Sequence, residues 1–244
     1  MRTNPSAMTD AQPKDVICVL GMHRSGTSCL VGSLQNAGLQ LGKHHTLNKY
    51  NRKGNRENQD IVDINDAVLD YNGGSWEDPP LTLHYADEHL ASARAIISAF
   101  PAGTRWGFKD PRALLTWPLW QEALAGNYLR VGIFRHPLAV AASLEYRQGS
   151  AEMSEQRALQ IWQHYNKKLL AEYKRSPFPI LCFDWDEATF HEKLNRVHEQ
   201  LGLPTLDTSD KFYSSALKNY DSSDTSIIPW RQRLLYKKLK DIAL

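Results

Sequence analysis

Val16-Ile17-Cys18-Val19-Leu20-Gly21-Met22-His23-Arg24-Ser25-Gly26-Thr27-Ser28 decides how the rest of the chain is read. Its first five residues are apolar and rich in β-branching, the composition of a buried strand. A loop bounded by Gly21 and Gly26 follows, and behind it Leu30, Val31, Leu34 and Ala37 recur at helical spacing. Strand, glycine-bounded loop and helix in direct succession aim several backbone N–H groups and the positive end of a helix at one phosphate-sized anion.

The two glycines have the spacing of a Walker A loop, G-x-x-x-x-G-K-[ST], but Thr27 stands where that loop carries its lysine. The cation is Arg24, two residues before the second glycine. The loop is therefore expected to hold an anion through Arg24 and the backbone of Ser25, Gly26, Thr27 and Ser28. It lacks the lysine that nucleoside triphosphatases aim at a terminal phosphoryl group.

Working outward, 244 residues suffice for one well-buried domain, and 42% hydrophobic with 23% charged residues is ordinary for a globular chain. A net charge of +2 argues against a bulk polyanion such as nucleic acid, so any anion site is local. Cys18, Cys29 and Cys182 are an odd number in apolar settings without a C-x-x-C pair, as expected of core residues in a reducing compartment. Residues 1–14 are polar with two prolines and read as a disordered start rather than a signal peptide, leaving 15–244 as a single domain. No stretch approaches the roughly 18 apolar residues of a membrane helix, and a cytoplasmic protein is expected. Oligomeric state is not legible.

Downstream, Leu39–Gly42 suggests a short strand, and 43–56 a polar, basic loop. Glu57–Tyr71 reads as a helix with Ile61, Ile64, Val68 and Tyr71 on one face and Asp60, Asp63, Asp66 and Asp70 mostly opposite, a solvated row rather than a metal cluster. Residues 85–100 look helical. Arg105–Lys109 is a second strand stopped by Pro111, and Leu114–Leu124 a further helix. Leu129–Phe134 is a third strand, ending at Arg135, with Pro137 placed to open the next helix. A longer helix over about Glu155–Arg175 carries Leu159, Trp162, Tyr165, Leu169 and Tyr173 on its core side. Phe178–Phe183 is the fourth strand, and a basic helix with an apolar stripe of Leu234, Leu235, Leu239 and Ile242 spans Trp230–Ile242. Alternating strands and helices imply an α/β fold, a central parallel sheet flanked by helices in a P-loop NTPase-like three-layer sandwich. Ligands of such sheets lie beyond the carboxyl ends of the strands, where Gly21, Lys109 and Arg135 fall.

A second informative stretch is Phe134-Arg135-His136-Pro137-Leu138-Ala139-Val140-Ala141-Ala142-Ser143-Leu144. A strand-end arginine followed two helical turns later by a serine offers a planar fork and a hydroxyl, suited to a phosphate monoester. Together the two stretches resemble the sulfotransferases that use 3′-phosphoadenosine 5′-phosphosulfate (PAPS). Trp106-Gly107-Phe108-Lys109-Asp110-Pro111-Arg112 and the Ile161-Trp162-Gln163-His164-Tyr165-Asn166 helix also look like bacterial members of that family. The resemblance spans roughly residues 15–185. It implies that Arg24 and the Ser25–Ser28 backbone hold the 5′-phosphosulfate, that Arg135 and Ser143 hold the 3′-phosphate, and that no catalytic metal is needed.

For the chemistry, Lys109 ends a strand at the functional edge and is expected to contact the transferring sulfuryl group or the leaving oxygen, the alternative being a lysine that only snorkels at a strand end. The histidine base of the small-molecule branch is absent, its position taken by Pro111. The carbohydrate and protein-tyrosine branches draw a glutamate from the region after the first helix, which points to Glu57, with His44 and His45 as rivals. Glu57 could also be there only for a helix's first turn, where the dipole favours it. Asp110 could pair simply with Arg112. The acceptor is expected to be a hydroxyl, on a glycan or glycoconjugate by analogy. Two other functions share the pattern: a P-loop kinase or NTPase, with Ile180–Asp184 as a Walker B-like strand, and a non-catalytic nucleotide-binding module.

Overall fold

The sheet has strand order β2-β1-β3-β4, every pair parallel, in a computed structural model that describes residues 16–46, 54–101, 103–149, 151–206 and 228–244. The strands are β1 (Val16–Leu20), β2 (Trp106–Lys109), β3 (Tyr128–Phe134) and β4 (Ile180–Cys182). Between β1 and β2 come α1 (Thr27–Asn36), α2 (Gln59–Tyr71) and α3 (Asp87–Ser98). A 3₁₀ turn (Pro111–Leu114) and α4 (Trp117–Ala123) join β2 to β3, while α5 (Pro137–Gln148) and α6 (Glu155–Arg175) join β3 to β4. Helices α7 (Glu187–Gln200) and α8 (Trp230–Ile242) follow.

All five β1 residues are buried, as a parallel strand covered on both faces requires. Val16, Cys18 and Leu20 pack with α2, α5, α6 and α8 on one side, and Ile17 and Val19 with α1 and α7 on the other. Each such Val, Ile or Leu contributes about 1.5–3 kcal/mol by leaving water. The three-layer α/β sandwich expected from the sequence is the fold observed.

From β1 the chain crosses to β2 on one side, and from β3 to β4 on the other. That reversal opens a crevice between the carboxyl ends of β1 and β3, the usual ligand position in such sheets.

Several local expectations change. Leu39–Gly42 forms only an isolated bridge, Gln40 to Trp106. Helix α2 starts at Gln59, not Glu57, because the Asn58 side chain accepts from the Asp60 N–H and caps it there. Tyr71, expected on the apolar face, is 59% exposed. Leu234 is likewise exposed, and Tyr236 takes its place in the buried stripe of α8. Residues 1–14 and the loop positions Lys49, Arg52 and Lys53 lie outside the described residues. No helix among the described residues is long and apolar enough to cross a membrane.

One buried polar residue ties α2 to the end of β2. Asn65, fully buried, donates to Asp110 Oδ2 (3.1 Å) and accepts from Thr116 Oγ1 (2.6 Å) and Trp120 Nε1 (2.8 Å). Replacing it by leucine strands the Trp120 indole N–H in a dry interior, at about 1–3 kcal/mol. It also takes one hydrogen bond each from Asp110 and Thr116, at about 0.5–1.5 kcal/mol, although both keep bonds with Arg112. Asn65→Leu is expected to lower the urea-unfolding free energy by about 2 kcal/mol or more; a loss below about 1 kcal/mol would mean that the stranded indole N–H finds water.

Candidate functional site

The β1–α1 loop is held by two close approaches. A Cβ on Gly21 would meet the Ile133 carbonyl oxygen of β3 at 2.5 Å, and one on Gly26 would meet the Phe183 ring at 2.3 Å. Gly26 is also left-handed, at φ +90°, and has no side chain with which to cap the helix that starts after it. Arg24, at φ +64°, adopts the left-handed region without being glycine. Such strain persists where the surroundings enforce it and is common at ligand sites. Within the loop the Ser25 hydroxyl is fully buried without a partner among the described residues, as is suitable for a donor awaiting an anion.

Arg24 and Ser143 meet directly: the guanidinium Nε donates to the serine Oγ at 2.8 Å. The two stretches singled out in the sequence, 119 residues apart, therefore face one crevice. Burial pushes the Arg24 guanidinium down to about 10, and the charges of Arg147 and Arg135 add to the effect. Cations crowd here in a partly dry site, an arrangement that an anionic ligand would relieve.

Arg135 lies at the end of β3, 4% exposed, with its guanidinium over the Phe183 ring (5.3 Å) and its Nε 3.9 Å from Asp184 Oδ1. Its carbonyl accepts from the indole N–H of Trp162 on α6 (2.9 Å), and the next N–H, of His136, donates to Asp184 Oδ2 (2.6 Å). Tyr236 on α8 donates to the same carboxylate oxygen (3.0 Å). Asp184, the acid of the Walker B-like stretch, is thus engaged in bracing the β3–α5 turn. In this state Ser143 is bonded to Arg24, not to Arg135.

At the end of β2, Lys109 Nζ and Glu57 Oε1 form an ion pair at 2.5 Å, with the lysine 3% and the glutamate 13% exposed. Glu57 sits before the helix cap, so the favourable first-turn dipole does not account for its position; contact with Lys109 does. Its segment is fastened to α1 twice: Ser28 Oγ donates to the Asn55 carbonyl (3.2 Å) and Arg56 Nε to Gln35 Oε1 (2.9 Å). The Ser28 hydroxyl is thereby used in the scaffold.

Neither rival histidine joins this pair. His44 Nδ1 lies 2.8 Å from the Gly42 carbonyl and His45 Nε2 2.8 Å from Gln59 Oε1. Asp110 does bind Arg112 (3.1 Å), as the sequence suggested, and Arg112 also reaches Asp66 (2.6 Å). One member of the acidic row on α2 is therefore a structural partner. No group of three or more His, Cys, Asp or Glu able to hold a metal occurs among the described residues.

Sequence reasoning passed over His23. Its ring is buried in the loop beside Arg24 and packs against Trp76, with ring centroids 4.4 Å apart. Burial holds its pKa well below the usual imidazole range, assisted by the positive charges of Arg112, Lys109, Arg147 and Arg24. A polar ring inside a glycine-bounded loop was the available signal.

No known family model matches the chain, and no curated protein matches it in sequence. Among solved structures, the sulfotransferase domain from the Synechococcus PCC 7002 olefin synthase is similar, with 16% identity, a TM-score of 0.49, and alignment over 95% of this chain and 89% of that one.

The crowding of Arg24, Arg135 and Arg147 predicts that a bound divalent anion stabilises the fold. Thermal unfolding in millimolar sulfate should shift upward relative to chloride at matched ionic strength, and Arg24→Gln should remove most of that difference. Equal shifts in both proteins would place the anion elsewhere.

Proposed function

We propose that the chain is a PAPS-dependent sulfotransferase that transfers a sulfuryl group to an acceptor hydroxyl. The observation that carries this reading is the Arg24–Ser143 contact, which joins the loop after β1 to the helix after β3 in one cationic crevice. A donor with a phosphosulfate at one end and a ribose phosphate at the other calls for two neighbouring basic grips. It does not call for the P-loop lysine, whose place Thr27 holds.

The residues fit such a donor on three counts. The unpartnered Ser25 hydroxyl and the uncapped start of α1 supply donors for the sulfated end. Gly26 lets the loop pack against the Phe183 ring, which fixes the course of the loop backbone. Arg135, braced from behind by Asp184 and Trp162, presents a fixed fork for the 3′-phosphate. Ser143 would exchange its bond to Arg24 for one to that phosphate.

Bound PAPS supplies a sulfuryl group on a bridging phosphate oxygen, and the S–O bond to that oxygen breaks as the acceptor oxygen bonds to sulfur. Glu57 takes the acceptor's proton, and its ion pair with Lys109 fixes the carboxylate in place beforehand. Lys109 then stands where negative charge grows on the leaving oxygen, with Arg24 and the loop N–H groups sharing that load. The buried setting strengthens each of these interactions relative to water. A glycan or glycoconjugate acceptor is favoured by the glutamate base.

Glu57→Gln tests the base assignment, because the amide keeps an oxygen facing Lys109 but cannot take a proton. Affinity for adenosine 3′,5′-bisphosphate, followed by calorimetry, should stay within about twofold, while turnover in a sulfur-labelled PAPS assay falls at least ~100-fold. An unchanged rate removes Glu57 from the mechanism. ATP with magnesium binding more tightly than the bisphosphate favours a phosphotransferase instead.

A further inference from the structure

Two buried polar groups beside the proposed reaction centre have no partner among the described residues: Nε2 of His23 and the hydroxyl of Tyr165. His23 is 8% exposed and Tyr165 not at all. They belong to different elements, the β1–α1 loop and α6, yet their rings meet edge to face with centroids 6.1 Å apart. Stranding even one such group is costly, so a neighbouring pair needs an explanation.

Both groups are neutral. Burial, and after it the surrounding cations, opposes a proton on the His23 imidazole, while burial and then Asp110 keep the Tyr165 phenol protonated. A neutral imidazole nitrogen and a phenol are a poor seat for a phosphate or sulfate, which the nearby arginines would take. They are a good seat for a hydroxyl oxygen, which donates one hydrogen bond and accepts another.

The surroundings fit a hydroxylated ring. Trp76, half-buried, stacks obliquely on His23 and forms an apolar wall. Its loop is clasped by Asn72, which exchanges two 2.8 Å hydrogen bonds with the backbone of His84, and by Gln148 Nε2 donating to Glu77. The wall is therefore held at both ends.

We propose that His23 Nε2 and the Tyr165 hydroxyl form the acceptor's hydroxyl-binding seat, positioning groups that orient it toward Glu57. This rests on the sulfotransferase reading above.

Tyr165→Phe and His23→Phe test it by two readouts. If the seat is built for a ligand, deleting the phenol oxygen removes an unsatisfied group, so the melting temperature of Tyr165→Phe should be unchanged or higher. Loss of a structural hydrogen bond would instead lower it by about 2–4 °C, which overturns the proposal. With whichever methyl glycoside or phenol the wild type sulfates, both variants should raise the acceptor KM about tenfold, the scale of one hydrogen bond, at unchanged PAPS KM. An unmoved acceptor KM also overturns it. Where no member of the panel is sulfated, the melting temperature decides. Failure of the wild type to bind adenosine 3′,5′-bisphosphate is a separate result and counts against the donor reading, not against this seat.

Discussion

Parallel pairing of β1 with β2 on one side and β3 on the other is the constraint on which the site depends. With all strands pointing the same way, whatever follows each strand emerges at one edge of the sheet. Arg24 and Arg135 follow, and Lys109 ends, three adjacent strands, so residues far apart in sequence come to one edge of the sheet. The Arg24–Ser143 hydrogen bond then draws α1's loop and α5 together across the switch in strand order. Gly21 and Gly26 allow that closeness, since any side chain at either would strike β3 or Phe183.

The electrostatics of this edge divide into two regions. Around Arg24, burial first and then the charges of Arg147 and Arg135 disfavour the guanidinium's charge, a setting that an anion would relieve. At the end of β2 the charges are balanced: Lys109 by Glu57, and Arg112 by Asp110 and Asp66. Burial raises the Asp110 carboxyl against the pull of Arg112 and Asn65, and its bonds to those two residues hold the strand end in place. An excess of positive charge binds, and a compensated pair positions. That contrast separates the residues proposed to hold the donor from those proposed to carry the chemistry.

Much of the fold was legible because its signals are local. The apolar run of β1, the glycine pair, the proline opening α5 and the core stripe of α6 each announce an element within a few residues, and the elements lie where expected. The capping asparagine at position 58 was legible too, but the apolar period alone extends the helix back to Glu57. What stayed hidden are contacts between distant residues with no local signature. Nothing near Glu57 announces Lys109, 52 residues away. Asn65 falls in phase with Ile61, Ile64 and Val68, and only the structure reveals that Asp110, Thr116 and Trp120 satisfy it. Tyr165 reads as core, as it is, but an unpartnered hydroxyl leaves no mark on hydrophobic periodicity.

The central claim is that a single nucleotide is gripped at both ends in the crevice between β1 and β3. A crystal structure of the protein with adenosine 3′,5′-bisphosphate tests it most directly. The account predicts the 5′-phosphate on the N–H groups of residues 25–28, the 3′-phosphate on the Arg135 guanidinium, and Ser143 turned from Arg24 to that phosphate. A nucleotide whose phosphates both lie away from Arg135, with the Arg24–Ser143 bond intact, would contradict it.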